Sequence, residues 1–349
     1  NPSPPSMDAA EEALATAIAS EDAQSAALSK VYVASRGVFG SETDRSLLLL
    51  DEALSVFRES GDSWGEGFAG FQRMEVLAHR GELAAAIDQG EAALACYQKT
   101  GDPWATSAAL AHLGWYGRMT GRIEWSEEIT GGAVGLARSR RLPHTVQYVM
   151  TDQGYLRLLV GEQDEARRTF EMALAIAIDV GNPVGAATIR NAIGESLLTS
   201  GSVEDAQQAH REALAGFEDA NIGSGVAYTL ARLGLSAETA GAWKEAERHH
   251  QAGLRAAADT GAVIELVPVI EGLARVAAAG GETERAARLL AGARSLRHRS
   301  GLVRLPVEEV VTESADRRVR AAAGSDVLEE ATREAEDMDP VAMIAIASR

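Results

Sequence analysis

The chain has 349 residues and a formal net charge of −18, from 33 Lys and Arg against 51 Asp and Glu. This acidic balance disfavours nonspecific affinity for DNA or for anionic membranes, so we expect no direct nucleic-acid contact and no membrane partner. The single cysteine, Cys96, excludes an internal disulfide. The sequence has neither a secretory signal pattern nor the roughly 18 consecutive apolar residues of a membrane span, and a cytoplasmic location is expected.

The first residues differ in composition from the rest of the chain. Residues 1–7 are rich in proline and serine, and we expect this segment to be disordered. Because the sequence begins at Asn1 rather than at a methionine, we expect it to be a fragment of a longer protein. An Ala-rich amphipathic stretch over 7–20 is predicted to form a leading helix, and residues 23–60 a degenerate first hairpin.

From residue 61 onward, glycine recurs every forty residues in two series that are offset by twenty. One series is Gly81, Gly121, Gly161, Gly201, Gly241 and Gly281, and the other is Gly61, Gly101, Gly181, Gly261 and Gly301. Arg141 and Asn221 stand where the second series lacks glycine. Two turn markers per repeat predict one helical hairpin. Because a hairpin cannot bury its apolar face alone, the repeats are expected to stack into a solenoid.

The residues around these glycines are typical of helix ends. Glycine after a helix permits the left-handed conformation that ends it, and Asp or Asn follows Gly61, Gly101 and Gly181 as a helix N-cap. In one repeat the pattern predicts a first helix over 183–199 and a second helix over 203–219. Acidic residues at the start of the second helices suit the positive end of the helix dipole.

Small residues recur inside both helices of the repeat. In the first helix they are Gly114, Gly154, Gly194, Gly234 and Ala274. The second helix has two recurring small positions, with a larger side chain such as Phe170 or His210 between them in several repeats. This order resembles the tetratricopeptide repeat (TPR), in which small residues let helices approach. The period is forty residues rather than about 34; HEAT-like repeats share the longer period but not this glycine pattern.

We therefore predict an all-α, TPR-like α-solenoid, a right-handed superhelix of hairpins with a period of about forty residues. Residues 8–301 are assigned to the superhelix, as about seven hairpins of which the first is degenerate. The period ends after Gly301. Residues 302–349 are predicted to form a linker and helices that cap the exposed face of the last repeat.

The sequence contains no recognisable catalytic or cofactor-binding motif. It lacks a P-loop, a His-Glu-x-x-His motif, a paired-cysteine zinc spacing and a Gly-x-Ser-x-Gly turn. The adjacent residues His249 and His250 diverge by about 100° on a helix and are poorly placed to hold one metal ion. We predict a noncatalytic protein without a cofactor or a metal site.

The inner wall of the superhelix is the best candidate for a binding site. In stacked hairpins the first helices line the concave side, and counting from the small residue identifies the side chains that face it. Aromatic residues beside Asn, Arg and Glu there are expected of a groove that holds a ligand or peptide. The alternative is that these rings pack between adjacent first helices. The predicted binding residues are Phe68, Phe71, Glu75, Trp115, Arg118, Tyr148, Tyr155, Asn191, Glu195, Tyr228, Glu238, Glu271 and Arg275.

The end of the chain carries the most specific resemblance. The glycine- and alanine-rich stretch 272–281, its Arg-rich continuation and the terminal residues 338–342 resemble the C-terminal TPR regions of large bacterial regulators. These regulators include STAND-class signal-transduction ATPases, LuxR-type activators and antibiotic-pathway activators. The resemblance implies a sensor or autoinhibitory arm that binds a protein, a peptide or a small-molecule inducer. The alternative is a stand-alone adaptor or chaperone that holds a partner's peptide in the concave groove.

Overall fold

The computed structural model describes residues 7–37, 42–336 and 338–348. In these ranges it consists of eighteen α-helices and contains no strand. The predicted disordered segment 1–7 lies outside the described residues, except for Met7, which begins the first helix. The helices are α1 (Met7–Ala19), α2 (Ala23–Gly37), α3 (Thr43–Ser60), α4 (Ser63–His79), α5 (Leu83–Thr100), α6 (Pro103–Met119), α7 (Ile123–Ser139), α8 (Pro143–Leu159), α9 (Gln163–Asp179), α10 (Pro183–Thr199), α11 (Val203–Asp219), α12 (Gly223–Thr239), α13 (Trp243–Thr260), α14 (Val263–Gly280), α15 (Thr283–Ser300), α16 (Pro306–Ala322), α17 (Ser325–Glu336) and α18 (Pro340–Ala347).

Helices α2 to α15 form seven consecutive hairpins, each made of an even-numbered first helix and an odd-numbered second helix. Each hairpin packs on the next, and from α6 to α14 the first helices also contact one another. This stacking confirms the predicted all-α, TPR-like solenoid. None of the helices in the described ranges combines the length and the apolar character that crossing a membrane requires.

The repeated glycines occupy left-handed turns at the helix ends. At Gly201 φ is 84°, and its N–H donates to the Leu198 carbonyl oxygen at 3.1 Å. Such bonds satisfy carbonyl groups that the end of a helix leaves unpaired. Arg141 and Asn221 adopt the same conformation with φ of 56°, although they carry a side chain. The turn geometry is therefore retained where the glycine is missing.

The small residues inside the first helices match large side chains on the second helices. A Cβ added to Gly154 would overlap the ring of Phe170, which is completely buried. A Cβ added to Gly194 would lie 2.5 Å from Cε1 of His210, which is also completely buried. The spacing of small and large residues thus reflects close packing within each hairpin.

Early hairpins of the superhelix contact late hairpins across its concave side. Nε2 of His79, the last residue of α4, lies 2.9 Å from the carbonyl oxygen of Thr260, which ends α13. Ile264, near the start of α14, packs in one hydrophobic cluster with Met74 of α4 and Tyr116 of α6. Curvature therefore brings distant repeats together and narrows the concave side.

The residues after Gly301 divide into two parts. Helices α17 and α18 pack on α15, and Ala331 and Met343 join the same hydrophobic cluster as its side chains, so these helices cover the last hairpin. The linker 302–305 and the start of α16 instead enter the concave side, where α16 contacts α10 and α14. The sequence assigned this linker to the cap. It lies in the groove because the inner wall supplies partners for its charges and for its backbone.

Candidate functional site

The predicted binding residues lie on six consecutive first helices, α4 to α14. Hydrogen bonds join Glu75 of α4 to Tyr116 of α6, and Glu195 of α10 to Tyr228 of α12. The forty-residue period places side chains from neighbouring first helices in register, so one row of contacts runs along the concave side.

The part of the wall formed by α4 and α6 remains partly open. Four of the predicted residues there are half-buried: Phe68, Phe71, Glu75 and Trp115. The ring of Phe71 meets His112 edge to face, with centroids 5.0 Å apart, and the Tyr116 hydroxyl donates to Glu75 Oε1 at 2.8 Å. On the neighbouring helix α8, Tyr148 is 38% exposed. Aromatic surface and a carboxylate are therefore accessible at this end.

Arg118 links α6 to α8. Its Nε donates to Asp152 Oδ1 at 3.1 Å, and its guanidinium lies 4.2 Å from the ring centroid of Tyr155. The Tyr155 ring also meets Phe170 edge to face at 5.3 Å. Burial raises the pKa of Asp152, and the nearby Arg118 offsets part of this rise. Tyr155 thus packs between helices, as in the alternative that the sequence left open.

A second polar group joins α10 to α12. Asn191 Nδ2 donates to Thr229 Oγ1 at 2.7 Å, and the Tyr228 hydroxyl donates to Glu195 Oε1. The second carboxylate oxygen of Glu195 has no hydrogen-bond partner, although the residue is only 1% exposed. Burial raises the pKa of Glu195, and Arg232 and the Tyr228 hydroxyl counteract this rise. An unsatisfied carboxyl oxygen therefore lies inside the wall.

Glu238 and Arg275 form a bidentate pair between α12 and α14. Arg275 donates from Nε and Nη2 to the two carboxylate oxygens of Glu238, at 2.6 and 3.0 Å. His250 Nε2 lies 2.6 Å from Glu238 Oε1, and Arg275 Nη1 donates to Thr312 of α16 at 3.2 Å. Burial opposes the ionisation of Glu238, but Arg275 and His250 outweigh it and lower the pKa of this carboxyl.

Glu271 on α14 accepts hydrogen bonds from two arginines. Arg297 of α15 donates from Nε and Nη2 at 2.8 Å to each carboxylate oxygen. Arg304 of the linker donates to Glu271 Oε1 at 2.8 Å from Nη2. Ion pairs with Glu271 therefore anchor the linker to α14, the first helix of the last hairpin.

The linker also reaches the middle of the wall. The Val303 N–H donates to the Met119 carbonyl oxygen of α6 at 2.8 Å. At the start of α16, Glu308 Oε1 lies 2.5 Å from Nη2 of Arg232 on α12, with side chains that are 8% and 3% exposed. Burial opposes the ionisation of Glu308, but Arg232 and Arg297 outweigh it and lower the pKa of Glu308 to about 2.

Six of the predicted binding residues are at most 6% exposed: Tyr155, Asn191, Glu195, Glu238, Glu271 and Arg275. They are not accessible from the groove in this structure, because they pair with one another, with the second helices or with the C-terminal segment. Arg118 and Tyr228 are half-buried. The assignment of the predicted residues to ligand binding stays a prediction.

Sequence reasoning missed Arg232, the linker residue Arg304 and Glu308 at the start of α16. Arg232 lies one position away from the counted groove positions, in register with Asp152 on α8. Its ion pair is made with Glu308 of α16, a partner that the spacing within the repeats does not indicate.

A cavity of about 70 Å³ lies between the linker and the wall, and Tyr228, Arg232, Leu305 and Glu308 contribute to its lining. Pockets for drug-sized ligands measure roughly 300–1,000 Å³. This cavity is too small for such a ligand. In the described part of the chain, no three His, Cys, Asp or Glu side chains are grouped to hold a metal ion.

No protein-family model matches the chain, and no curated protein matches its sequence. Solved structures match it in fold. A Rap protein complexed with competence and sporulation factor has a TM-score of 0.58 and 13% identity, covering 94% of this chain and 99% of its own. NprR in complex with its cognate peptide NprX has a TM-score of 0.55 and 13% identity, covering 72% and 74%.

A third similar structure is a signal transduction ATPase with numerous domains (STAND) from Pyrococcus horikoshii, which has a tetratricopeptide repeat sensor. Its TM-score is 0.52 at 11% identity, over 94% of this chain and 54% of that chain. At these identities the similarity shows the fold. The chain is similar to TPR-like repeat proteins, among them a STAND protein with a TPR sensor.

Proposed function

We propose that this chain is a noncatalytic TPR module that binds a protein or peptide on its concave wall. The observation that carries this proposal is the position of the linker 302–305, which lies on the wall and has both backbone groups of Val303 hydrogen-bonded to the solenoid. The Val303 N–H donates to Met119 at 2.8 Å, and the Val303 carbonyl oxygen accepts from Arg297 Nη1 at 2.9 Å. A wall that pairs with one extended segment has the geometry to pair with another.

The partly open end of the wall supports this proposal. Phe71 and Trp115 are half-buried beside Glu75, so each ring combines apolar surface with a nearby polar group. Aromatic residues of this kind dominate the binding energy of protein interfaces when a partner desolvates them. While the linker occupies the groove, the cavity of about 70 Å³ between linker and wall is too small for a drug-sized inducer.

The similar structures give the proposed role its context. One is a complex with competence and sporulation factor, one is a complex with a cognate peptide, and the third is a STAND protein with a TPR sensor. We propose that this chain is the sensor or autoinhibitory arm of a bacterial signal-transduction ATPase or transcriptional regulator, including the LuxR-type and antibiotic-pathway activators. A partner would act through unequal affinity for two states of the arm. A cytoplasmic location without nucleic-acid contact belongs to the same proposal.

A stand-alone adaptor or chaperone is the second candidate, because the wall could hold a peptide without any attached output domain. The open reading frame upstream of Asn1 separates the two. The regulator role requires a P-loop ATPase encoded there, and the adaptor role does not.

A peptide-display selection against the immobilised full chain tests the proposed binding function. We expect the selected peptides to lose about 30-fold or more in affinity for a Phe71→Ala/Trp115→Ala variant, because an aromatic anchor contributes about 2 kcal/mol or more. Trp243→Ala is the matched control, since this 39% exposed tryptophan lies on a second helix. Circular dichroism checks the fold of each variant. Equal affinities for the wild type and the groove variant would contradict binding at this wall.

A further inference from the structure

Segment 302–308 makes the contacts of a bound peptide. Both backbone groups of Val303 are hydrogen-bonded, the N–H to Met119 of α6 in the wall and the carbonyl oxygen to Arg297 of the second helix α15. Leu305 is 8% exposed and belongs to the hydrophobic cluster that contains Tyr155. The segment therefore combines backbone pairing with an inserted aliphatic side chain, as an extended ligand in a groove does.

The two carboxylate oxygens of Glu308 have different partners. Its Oε1 lies 2.5 Å from Nη2 of Arg232. Its Oε2 accepts a hydrogen bond from the Leu305 N–H at 2.9 Å, at the start of α16. Because one oxygen is committed to the helix end, Glu308 contacts the guanidinium through the other oxygen alone.

Two buried hydrogen-bonding groups of the wall are unsatisfied. Nε of Arg232 has no hydrogen-bond partner, and Oε2 of Glu195 has none either. The two residues are 2% and 1% exposed. Buried polar atoms are normally paired, and an unpaired donor and acceptor make the occupied groove less favourable. Arg232 and Glu308 both contribute to the lining of the cavity described above. The unpaired nitrogen therefore belongs to a site that its present occupant fills incompletely.

We infer that segment 302–308 is an internal ligand that occupies the groove until an acidic peptide displaces it and binds Arg232 through a bidentate carboxylate. This inference rests on the proposed peptide-binding function and names the chemistry of the partner. A carboxylate that is not tied to a helix end can accept from Nε and Nη2 of Arg232 together, and guanidinium groups favour this side-on geometry.

Competition follows from the shared site. A peptide that needs the groove empty binds with an apparent affinity reduced by the fraction of molecules in which the internal ligand is released. Weakening the internal ligand therefore raises the apparent affinity of the peptide, without any change in the contacts that the peptide makes.

The test uses the full chain and a fluorescent peptide with blocked ends that copies residues 302–312. Glu308→Gln removes the charge while its amide oxygen can still accept from Leu305. We expect the probe to bind this variant at least tenfold more tightly than the wild type in fluorescence anisotropy. Glu313→Gln is the matched control, because Glu313 is a 58% exposed residue of the same helix and should leave the affinity unchanged.

Two further measurements identify Arg232 as the receptor of the carboxylate. A probe with Gln at the positions of Glu308 and Glu309 should bind the Glu308→Gln variant at least tenfold more weakly than the acidic probe does. Adding Arg232→Gln to that variant should remove the gain. The inference is overturned if the wild type and Glu308→Gln bind the probe equally, if neither binds it, or if the neutral probe binds as well as the acidic one.

Hydrogen exchange in the unmodified chain keeps the inference testable if Glu308→Gln fails to fold. Saturating acidic probe should accelerate exchange of the Val303 amide at least fivefold and leave the amide of Leu235, in the interior of α12, unchanged. Unchanged exchange at Val303 would contradict displacement. A display-selected peptide that depends on Phe71 and Trp115 but binds the wild type and Glu308→Gln equally would overturn the internal ligand alone. Loss of that aromatic dependence would overturn the proposed function itself.

Discussion

Arg232 on α12 and Glu308 on α16 form a buried ion pair that joins the inner wall of the solenoid to the segment that fills it. Removing both charges from water opposes the pair, so its contribution to net stability is smaller than its short distance implies. Breaking it leaves one charge buried without a partner, which is costly. The pair therefore fixes where the C-terminal segment lies more than it adds to stability.

The pair predicts a specific loss of stability in acid. The pKa of Glu308 is lowered from 4.5 to about 2, so the unfolded chain binds a proton in this interval and the folded chain does not. The stabilisation is complete above pH 4.5 and falls by up to about 1.4 kcal/mol per pH unit down to pH 2. We expect the difference in unfolding free energy between the wild type and Glu308→Gln to shrink over this range, measured by urea unfolding. A difference that does not change with pH would contradict an ionised Glu308 in the folded protein.

The burial of His210 predicts a second loss of stability on acidification, which begins at a higher pH than that of Glu308. Burial and the nearby Arg232 lower the pKa of His210 from 6.5 to about 3, so the folded chain keeps it neutral where the unfolded chain protonates it. Its contribution to stability therefore falls by up to about 1.4 kcal/mol per pH unit as the pH drops from 6.5 towards 3. His210→Phe, which copies Phe170 in the equivalent position of another repeat, should lack this dependence. Urea unfolding between pH 7 and pH 4.5 checks it, and parallel curves for the two proteins would rule it out.

The small residues of the first helices predict a contrast between two glycines. Gly154→Ala forces a methyl group into the ring of Phe170, and overpacking of this kind costs about 1–3 kcal/mol. Gly131→Ala in α7 should instead gain about 0.5–1 kcal/mol, because a Cβ there meets nothing within 4 Å and alanine favours the helix. Thermal unfolding of both variants measures the contrast. Equal changes in stability for the two variants would mean that the helices leave room for a methyl group at Gly154.

The interrupted glycine series predicts a stabilising substitution. Arg141 holds φ at 56°, a left-handed conformation that costs a residue with a side chain about 1–2 kcal/mol. Because glycine loses more conformational freedom on folding, we expect Arg141→Gly to gain at most about 1 kcal/mol. Asn221→Gly should gain less, since asparagine tolerates this conformation. The melting temperatures of the two variants and the wild type test this prediction. A melting temperature of Arg141→Gly below that of the wild type would contradict strain at this turn.

The forty-residue period was enough to place the helices of the solenoid. The first helix predicted over 183–199 is α10, and the second predicted over 203–219 is α11, with the same ends. These boundaries depend on local signals, because left-handed glycines and N-cap residues act within a few positions of the helix end. The same period places the predicted binding positions of neighbouring first helices in register.

The sequence alone could not determine what occupies that wall. His79 meets Thr260, and Arg232 meets Glu308, only because small rotations from one hairpin to the next accumulate into curvature along the solenoid. No local pattern around residues 302–308 encodes that curvature, so the sequence assigned this segment to the cap. Local chemistry determined each repeat, whereas the summed geometry of all the repeats decided that the chain would fill its own groove.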